Sequence, residues 1–268
     1  MNKDTWRLII SEPASGAYNM AVDEAILESV VSQSSPPTMR FYSWSPPCLS
    51  LGYSQSSDIV DWESCSARGW VVVRRPTGGG AILHTDELTY SICVGQDEPR
   101  MAGTIIESYR RIAVGLVDGL QRLGLRDAES SALDEPYSAS GPVCFDEPSH
   151  YEITYKGRKL VGSAQSRRLG GILQHGSIPL SGDITRILYA LRNPGAADAE
   201  RLRNRAVTLT DALGSEIDPS RIIEVLANSI AQSIEVELLV QELSTDEVER
   251  VDELIREKYG NGDWTLAR

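Results

Sequence analysis

Arg74-Arg75-Pro76-Thr77-Gly78-Gly79-Gly80-Ala81-Ile82-Leu83-His84 is the stretch from which the rest of the chain can be read. It follows a β-branched run, Trp70 to Arg74, that reads as a strand, and it breaks that strand with a proline and three glycines. Successive glycines let a backbone approach a ligand closely and tolerate positive φ. No Gly-Lys-Ser/Thr follows and the glycines lack the GxGxxG spacing, so neither phosphate-loop motif applies. A tight turn alone would account for the glycines. The two arginines before them and the histidine after them add the chemical interest.

Upstream, Trp6 to Ile10 reads as a strand and Ser11 to Gly16 as a turn. From Ala17, Met20, Ala21, Ile26, Leu27 and Val30 fall at helical spacing, and Gln33 to Pro37 closes that helix. Met39 to Trp44 and Cys48 to Leu51 read as strands, and Asp61 to Ala67 as a short helix. Downstream, Leu88 to Val94 reads as a strand, residues 95–103 as a polar loop and Ile105 to Leu123 as a long amphipathic helix. Residues 126–149 lack periodicity, and a loop of that length inside a domain is usually functional. Tyr151 to Tyr155, Lys159 to Gly162 and Gly171 to Pro179 read as short strands. From about residue 183 the pattern is helical almost throughout, over Asp183 to Leu191, Pro219 to Ile234 and Thr245 to Lys258, with Asp218 as a cap before an N1 proline. Strands precede most helices, so the class is α+β, and residues 1–268 are expected to form one domain with the helical part from about 183 packed on it.

Composition narrows the function classes. The 268 residues hold 41% hydrophobic and 24% charged residues, which is globular rather than disordered composition. Asp and Glu number 38 against 26 Lys and Arg, a net charge of −12 that argues against non-specific nucleic-acid binding. No apolar stretch suits a signal peptide or a membrane span, so a cytoplasmic soluble protein with no membrane partner is expected. Cys48, Cys65, Cys93 and Cys144 form no CxxC pair, which disfavours a disulfide framework or a zinc ribbon. Lys3, Lys156, Lys159 and Lys258 are the only lysines, so a lysine placed in a motif stands out.

Arg74 to His84 resembles the RRxxGGGAxxH signature of the lipoate-protein ligase A and biotin ligase superfamily. Other segments extend the resemblance in the same order. Gly16 to Ile26 is similar to that family's N-terminal helix. Gly157-Arg158-Lys159-Leu160-Val161-Gly162-Ser163-Ala164-Gln165 is similar to its lysine segment, and Gln174-His175-Gly176-Ser177 to the strand that follows. Glu257-Lys258-Tyr259 with Asp263-Trp264 resembles its C-terminal pattern. The resemblance implies a mixed, largely antiparallel sheet flanked by helices. It also implies one of two chemistries: ATP-dependent activation of free lipoate or biotin, or transfer of an octanoyl group already held as a thioester.

A thioester carries its own driving force, so a transferase needs no nucleotide and benefits from a cysteine nucleophile. Cys144, in Gly141-Pro142-Val143-Cys144-Phe145-Asp146, is the discriminating residue; in context the run from Gly141 to Ser177 resembles the cysteine-dependent, lipoate-ligase-like octanoyltransferases. Lys159 is the second catalytic candidate, since a cation beside a thiol favours the thiolate and could also pass protons. Arg74, Thr77, Gly78, Gly79, Gly80, His84, Gly162, Ser163, Ala164 and His175 are the candidate substrate-binding residues, with backbone N–H groups of Gly78 to Gly80 or Gly162 to Ala164 as possible oxyanion donors. His150 is a weaker alternative base. Asp23 and Glu24 read as helix surface or a fold-level salt bridge, and Cys48, Cys65 and Cys93 as inert.

The resemblance implies octanoyl-acyl carrier protein as donor, and as acceptor a lysine of a lipoyl-domain protein, a 2-oxoacid dehydrogenase E2 or the glycine cleavage H protein. No metal and no cofactor is expected; ATP and Mg would enter only with the rival, a lipoate ligase. Two further rivals are an amidotransferase that moves acyl groups between lipoyl proteins and an inactive acyl-binding module. Both partners are usually acidic, so docking on a chain of charge −12 should use a local basic patch, with Arg74, Arg75, Arg167 and Arg168 as candidates.

Overall fold

The computed structural model describes residues 4–131, 143–144, 152–193 and 199–268. Eleven strands are described: β1 (Asp4–Ile10), β2 (Thr38–Tyr42), β3 (Cys48–Leu51), β4 (Val71–Arg74), β5 (Ile82–His84), β6 (Glu87–Gly95), β7 (Ala128–Ser131), β8 (Glu152–Tyr155), β9 (Arg158–Arg168), β10 (Gly171–Pro179) and β11 (Val236–Val240). Among the α-helices, α1 (Gly16–Val31), α2 (Trp62–Ala67), α3 (Ile105–Arg122), α4 (Ala199–Arg205), α5 (Leu209–Leu213), α6 (Pro219–Ser233), α7 (Thr245–Leu254) and α8 (Gly262–Leu266) are described.

Eight strands form the main sheet in the order β11-β1-β2-β6-β10-β9-β8-β7. Pairing is parallel between β11 and β1 and between β1 and β2, and antiparallel from β2 to β7. This is the mixed, largely antiparallel sheet with flanking helices that the family resemblance implied. A smaller sheet, β4-β3-β5, pairs β3 parallel to β4 and antiparallel to β5.

The buried run of β6 follows from having both faces covered. Leu88, Tyr90, Ile92 and Val94 join Ile112, Leu116 and Leu120 of α3 and Leu226 and Ile230 of α6 in one core. Residues of opposite parity face α1: Cys93 packs with Met20, Ile26 and Leu27, and with Val251 and Leu254 of α7. A third cluster, built on Leu49, Leu51, Ala81 and Val143, lies under the small sheet.

Local chemistry sets the helix ends. Ser15 caps α1 by accepting from the Tyr18 N–H, Thr104 and Glu107 form a reciprocal box at α3, and Ser244 and Glu247 do the same at α7. Asp218 caps α6 with Pro219 at N1, as the sequence suggests.

Several segments depart from the sequence reading. Ile184–Ala190 is a 3-10 helix rather than an α-helix. Val236–Val240, placed within the helical region, is the edge strand β11: Glu235, at φ 58°, ends the preceding turn, and Val236 turns into the core. Ala128–Ser131, expected to be irregular, pairs with β8. The strand around Lys159 runs on to Arg168. Of the expected irregular segment, residues 132–142 and 145–149 lie outside the described residues, as do His150 and Tyr151.

Candidate active site

A β-bulge builds the centre of the site. Ile153 of β8 pairs with Val161, but Thr154 pairs with Lys159, so Leu160 is an extra residue in β9. In a regular strand, residues three apart face opposite sides. The bulge brings Lys159 and Gly162 to one side, where a Cβ on Gly162 would stand 2.9 Å from Lys159 Cε and 3.7 Å from Cys144 Sγ. The absence of a side chain at Gly162 therefore leaves room for the lysine and the thiol to meet.

Lys159 is buried, and its ammonium is held from several sides. Nζ donates to the Cys144 carbonyl at 2.8 Å, lies 3.8 Å from Cys144 Sγ, and forms an ion pair with buried Glu152 at 2.7 Å. Cys144 is half-buried. Its N–H donates to the Ala81 carbonyl at 3.1 Å, and Val143 forms a parallel bridge with Ala81. The cysteine is thus tethered directly to the end of the glycine loop. A Cβ on Gly80 would stand 2.8 Å from the Cys144 nitrogen, and Gly79 adopts φ 93°, so these two glycines serve close approach and left-handed backbone respectively.

Two buried chains of polar groups hold this loop. In the first, Thr77 Oγ1 lies 2.5 Å from His175 Nε2, and His175 Nδ1 lies 3.8 Å from Asp23 Oδ2. Asp23 pairs with Arg40 at 2.8 Å and accepts from Tyr42 and Ser91. Burial opposes the charge on Asp23, but His175 and Arg40 outweigh it and hold its carboxyl below the usual range. Burial pushes His175 down, which favours the neutral ring.

In the second chain, Arg75 Nη2 donates to the Gly78 and Gly80 carbonyls at 2.7 Å each, and Nη1 donates to Ser50 O and Oγ at 3.1 Å. Ser50 Oγ lies 2.7 Å from His84 Nε2, and His84 Nδ1 lies 2.6 Å from Glu87. Trp44 stacks on the His84 ring at 3.9 Å. Glu87 is buried, which opposes its charge, yet His84, Ser177 and Thr89 hold its carboxyl below the usual range.

The structure therefore brings Cys144, Lys159, Gly80 and Gly162 together, with Thr77, Gly78, Gly79, His84 and His175 around the loop. Ala164 pairs with His175 across β9 and β10 and shares the parity of Gly162. Ser163 does not join them: its hydroxyl meets Tyr90 at 2.8 Å on the opposite face of the sheet. Arg74 also points elsewhere. It is fully buried and donates to the carbonyls of Gly52, Tyr53, Gln55, Trp264, Thr265 and Arg268, while Trp264 donates back to the Arg74 carbonyl. Arg74 is a clasp for the C-terminal segment, and its guanidinium closes on that segment rather than on the glycine loop. Lys258 completes the clasp by pairing with Glu24 at 2.6 Å.

The expected basic patch needs the same correction. Arg74 and Arg75 are buried, and Arg167 donates to the Gly103 and Met101 carbonyls and to Ser108. Of the four expected arginines, Arg167 and Arg168 are exposed; Arg168 and Arg268 lie over the Tyr53 ring at 3.6 and 3.9 Å from its centre. Tyr53 donates its N–H to the Thr77 carbonyl, which ties this group to the loop.

Sequence reasoning missed Glu152 as the partner of Lys159. Its signal was a carboxylate and a lysine flanking the Lys156-Gly157 turn of one hairpin. Asp23, read as surface or a fold-level salt bridge, is the latter. Cys48, Cys65 and Cys93 are buried, and burial pushes all three thiols up, which leaves them poor nucleophiles. Among the described residues no cluster of His, Cys, Asp and Glu suits a metal ion, and no helix is long and apolar enough to cross a membrane.

A half-buried thiol beside a buried lysine, against a glycine loop on a mixed sheet, is an arrangement suited to acyl transfer through a thioester. Residues 15–231 match the family model described as the lipoyl protein ligase A/B catalytic domain, and the chain belongs to that family. It is 44% identical to octanoyltransferase LipM of Kyrpidia tusciae over 98% of this chain and 99% of that protein. It is 41% identical to octanoyltransferase LipM of Brevibacillus brevis over 99% and 100% of the two chains. The fold is shared with Thermoplasma acidophilum protein Ta0514, solved with bound lipoic acid, at a TM-score of 0.81 and 24% identity over 100% of both chains.

Proposed function

We propose that this chain is a protein octanoyltransferase that moves an octanoyl group from octanoyl-acyl carrier protein, through a Cys144 thioester, to a lysine of a lipoyl-domain protein. The observation that carries the reading is Lys159 Nζ placed 3.8 Å from Cys144 Sγ at the end of the glycine loop. The relatives named octanoyltransferase support the acyl group.

In the first step the Cys144 thiolate attacks the donor thioester carbonyl. The donor C–S bond breaks and the carrier thiolate leaves, taking a proton from the Lys159 ammonium. In the second step the neutral ε-amine of the acceptor attacks the Cys144 thioester. An amide forms, Cys144 leaves as thiolate, and neutral Lys159 takes the proton that the nitrogen sheds. Backbone N–H groups of Gly78 to Gly80 or of Gly162 to Ala164 are the donors assigned to the developing oxyanion. Glu152 holds the Lys159 ammonium in register with the thiol. The thioester supplies the driving force, so the reaction requires neither ATP nor a metal.

The test is to mix the chain, octanoyl-acyl carrier protein and an apo lipoyl domain without nucleotide, and follow acceptor mass. The reading predicts octanoylation that survives a chelator. Modification that appears only with ATP and a free fatty or lipoic acid would replace it with the ligase reading.

A further inference from the structure

We infer that Arg75, rather than Lys159, supplies the net positive charge that faces the Cys144 thiolate. The inference rests on the cysteine chemistry proposed above, and it changes which residue tunes the nucleophile.

Arg7, Arg40, Arg74, Arg75 and Lys159 are buried cations. Arg7 is paired with Glu247 at 2.6 Å, Arg40 with Asp23 at 2.8 Å and Lys159 with Glu152 at 2.7 Å. Each of these carboxylates offsets its cation, so the Lys159–Glu152 pair carries no net charge and Glu152 weakens the field of Lys159 at the sulfur. Arg74 is saturated by backbone carbonyls.

Arg75 is different. Its Nη atoms reach two loop carbonyls and Ser50. Among the described residues no carboxylate pairs with it, and its Nε is buried with no hydrogen-bond partner. An uncompensated buried cation is costly unless a negative charge comes to face it. Arg75 Nη2 binds the Gly80 carbonyl, and Gly80 packs against the Cys144 backbone. Of the other titratable groups facing Arg75, Arg74 is a cation and burial favours the neutral ring of His175. Glu87 stands two groups away, behind His84 and Ser50. Among the described residues, the thiol is the group that can supply the charge. Burial brings the guanidinium down to about 10, which keeps it charged at neutral pH.

The experiment is the pH profile of Cys144 alkylation by iodoacetamide, read by intact mass; it needs no acyl donor. In Arg75→Gln the pH of half-maximal rate should rise by about one unit or more. Arg75→Lys, which keeps the charge and loses the fork, should move it by clearly less. The double variant Lys159→Met/Glu152→Gln, which removes a neutral pair, should also move it less than Arg75→Gln. An unchanged profile in Arg75→Gln, equal shifts in Arg75→Gln and Arg75→Lys, or a larger shift in the double variant would overturn the inference. Should Arg75→Gln fail to fold, the double variant decides alone: a profile moved by a unit or more rejects the inference, and one near the wild type supports it. None of these readings depends on octanoyl transfer, so a failure of the proposed function remains distinguishable.

Discussion

Lys159 and Glu152 illustrate how one ion pair serves both stability and chemistry. Lys159→Met leaves the Glu152 carboxylate buried without its cation, which should cost about 3 kcal/mol in a denaturant titration. Adding Glu152→Gln should restore most of that stability while transfer stays down by at least about a hundredfold, because no proton donor stands at the sulfur. Recovery of transfer in the double variant would contradict the role given to Lys159. Gly80→Ala makes a parallel case. The new methyl must displace the Val143–Cys144 backbone, which should cost about 1–3 kcal/mol and slow transfer about tenfold or more through a misplaced thiol. Full activity in that variant would mean that the cysteine is not held by the loop. At this scale Cys144, Lys159 and the glycines were legible through the family resemblance of their segments, with the scarcity of lysine making Lys159 stand out. It could not separate Arg74 from Arg75. The two occupy consecutive positions where the strand gives way to the loop, and one closes on the C-terminal segment while its neighbour closes on the loop.

Among the elements, α1, α3, α6 and α7 were legible from helical spacing, with Asp218 and Pro219 also marking the start of α6. β11 and β7 were not, since each is a short edge strand whose identity depends on a neighbour distant in the chain: β1 for β11, and β8 for β7. The bulge at Leu160 was illegible for the same reason: it exists only in the register against β8. Buried polar contacts between α1, α7 and the sheet were hidden too, because charged residues on a helix ordinarily face water. Those contacts carry a pH signature. Asp23, Glu87 and Glu247 are each opposed by burial, yet their partners hold them below ordinary carboxylate values. A carboxylate depressed in the folded state adds stability above its unfolded pKa, near 4, and loses it as pH falls through the folded value. Melting temperature should therefore fall steeply between about pH 5 and 3. A flat profile there would contradict the pairing of these groups across α1, α7 and the sheet.

For the molecule as a whole, the charge of −12 sets a problem that the burial of Arg74 and Arg75 makes sharper. Acidic partners would be repelled at long range, so approach must depend on the few exposed arginines near the loop. Arg168, stacked on Tyr53, is the clearest of these. Arg168→Glu should raise the KM for octanoyl-acyl carrier protein severalfold at low salt, with the difference from wild type shrinking as ionic strength rises. An unchanged KM at low salt would place docking elsewhere. The proposed chemistry turns on whether Cys144 carries the acyl group. Intact-mass measurement of the chain after brief exposure to octanoyl-acyl carrier protein, without ATP or acceptor, tests that most directly. The expected result is a gain equal to one octanoyl group, lost on adding an apo lipoyl domain and absent in Cys144→Ala. An acceptor octanoylated by Cys144→Ala at the wild-type rate, with no adduct on the wild-type chain, would contradict it.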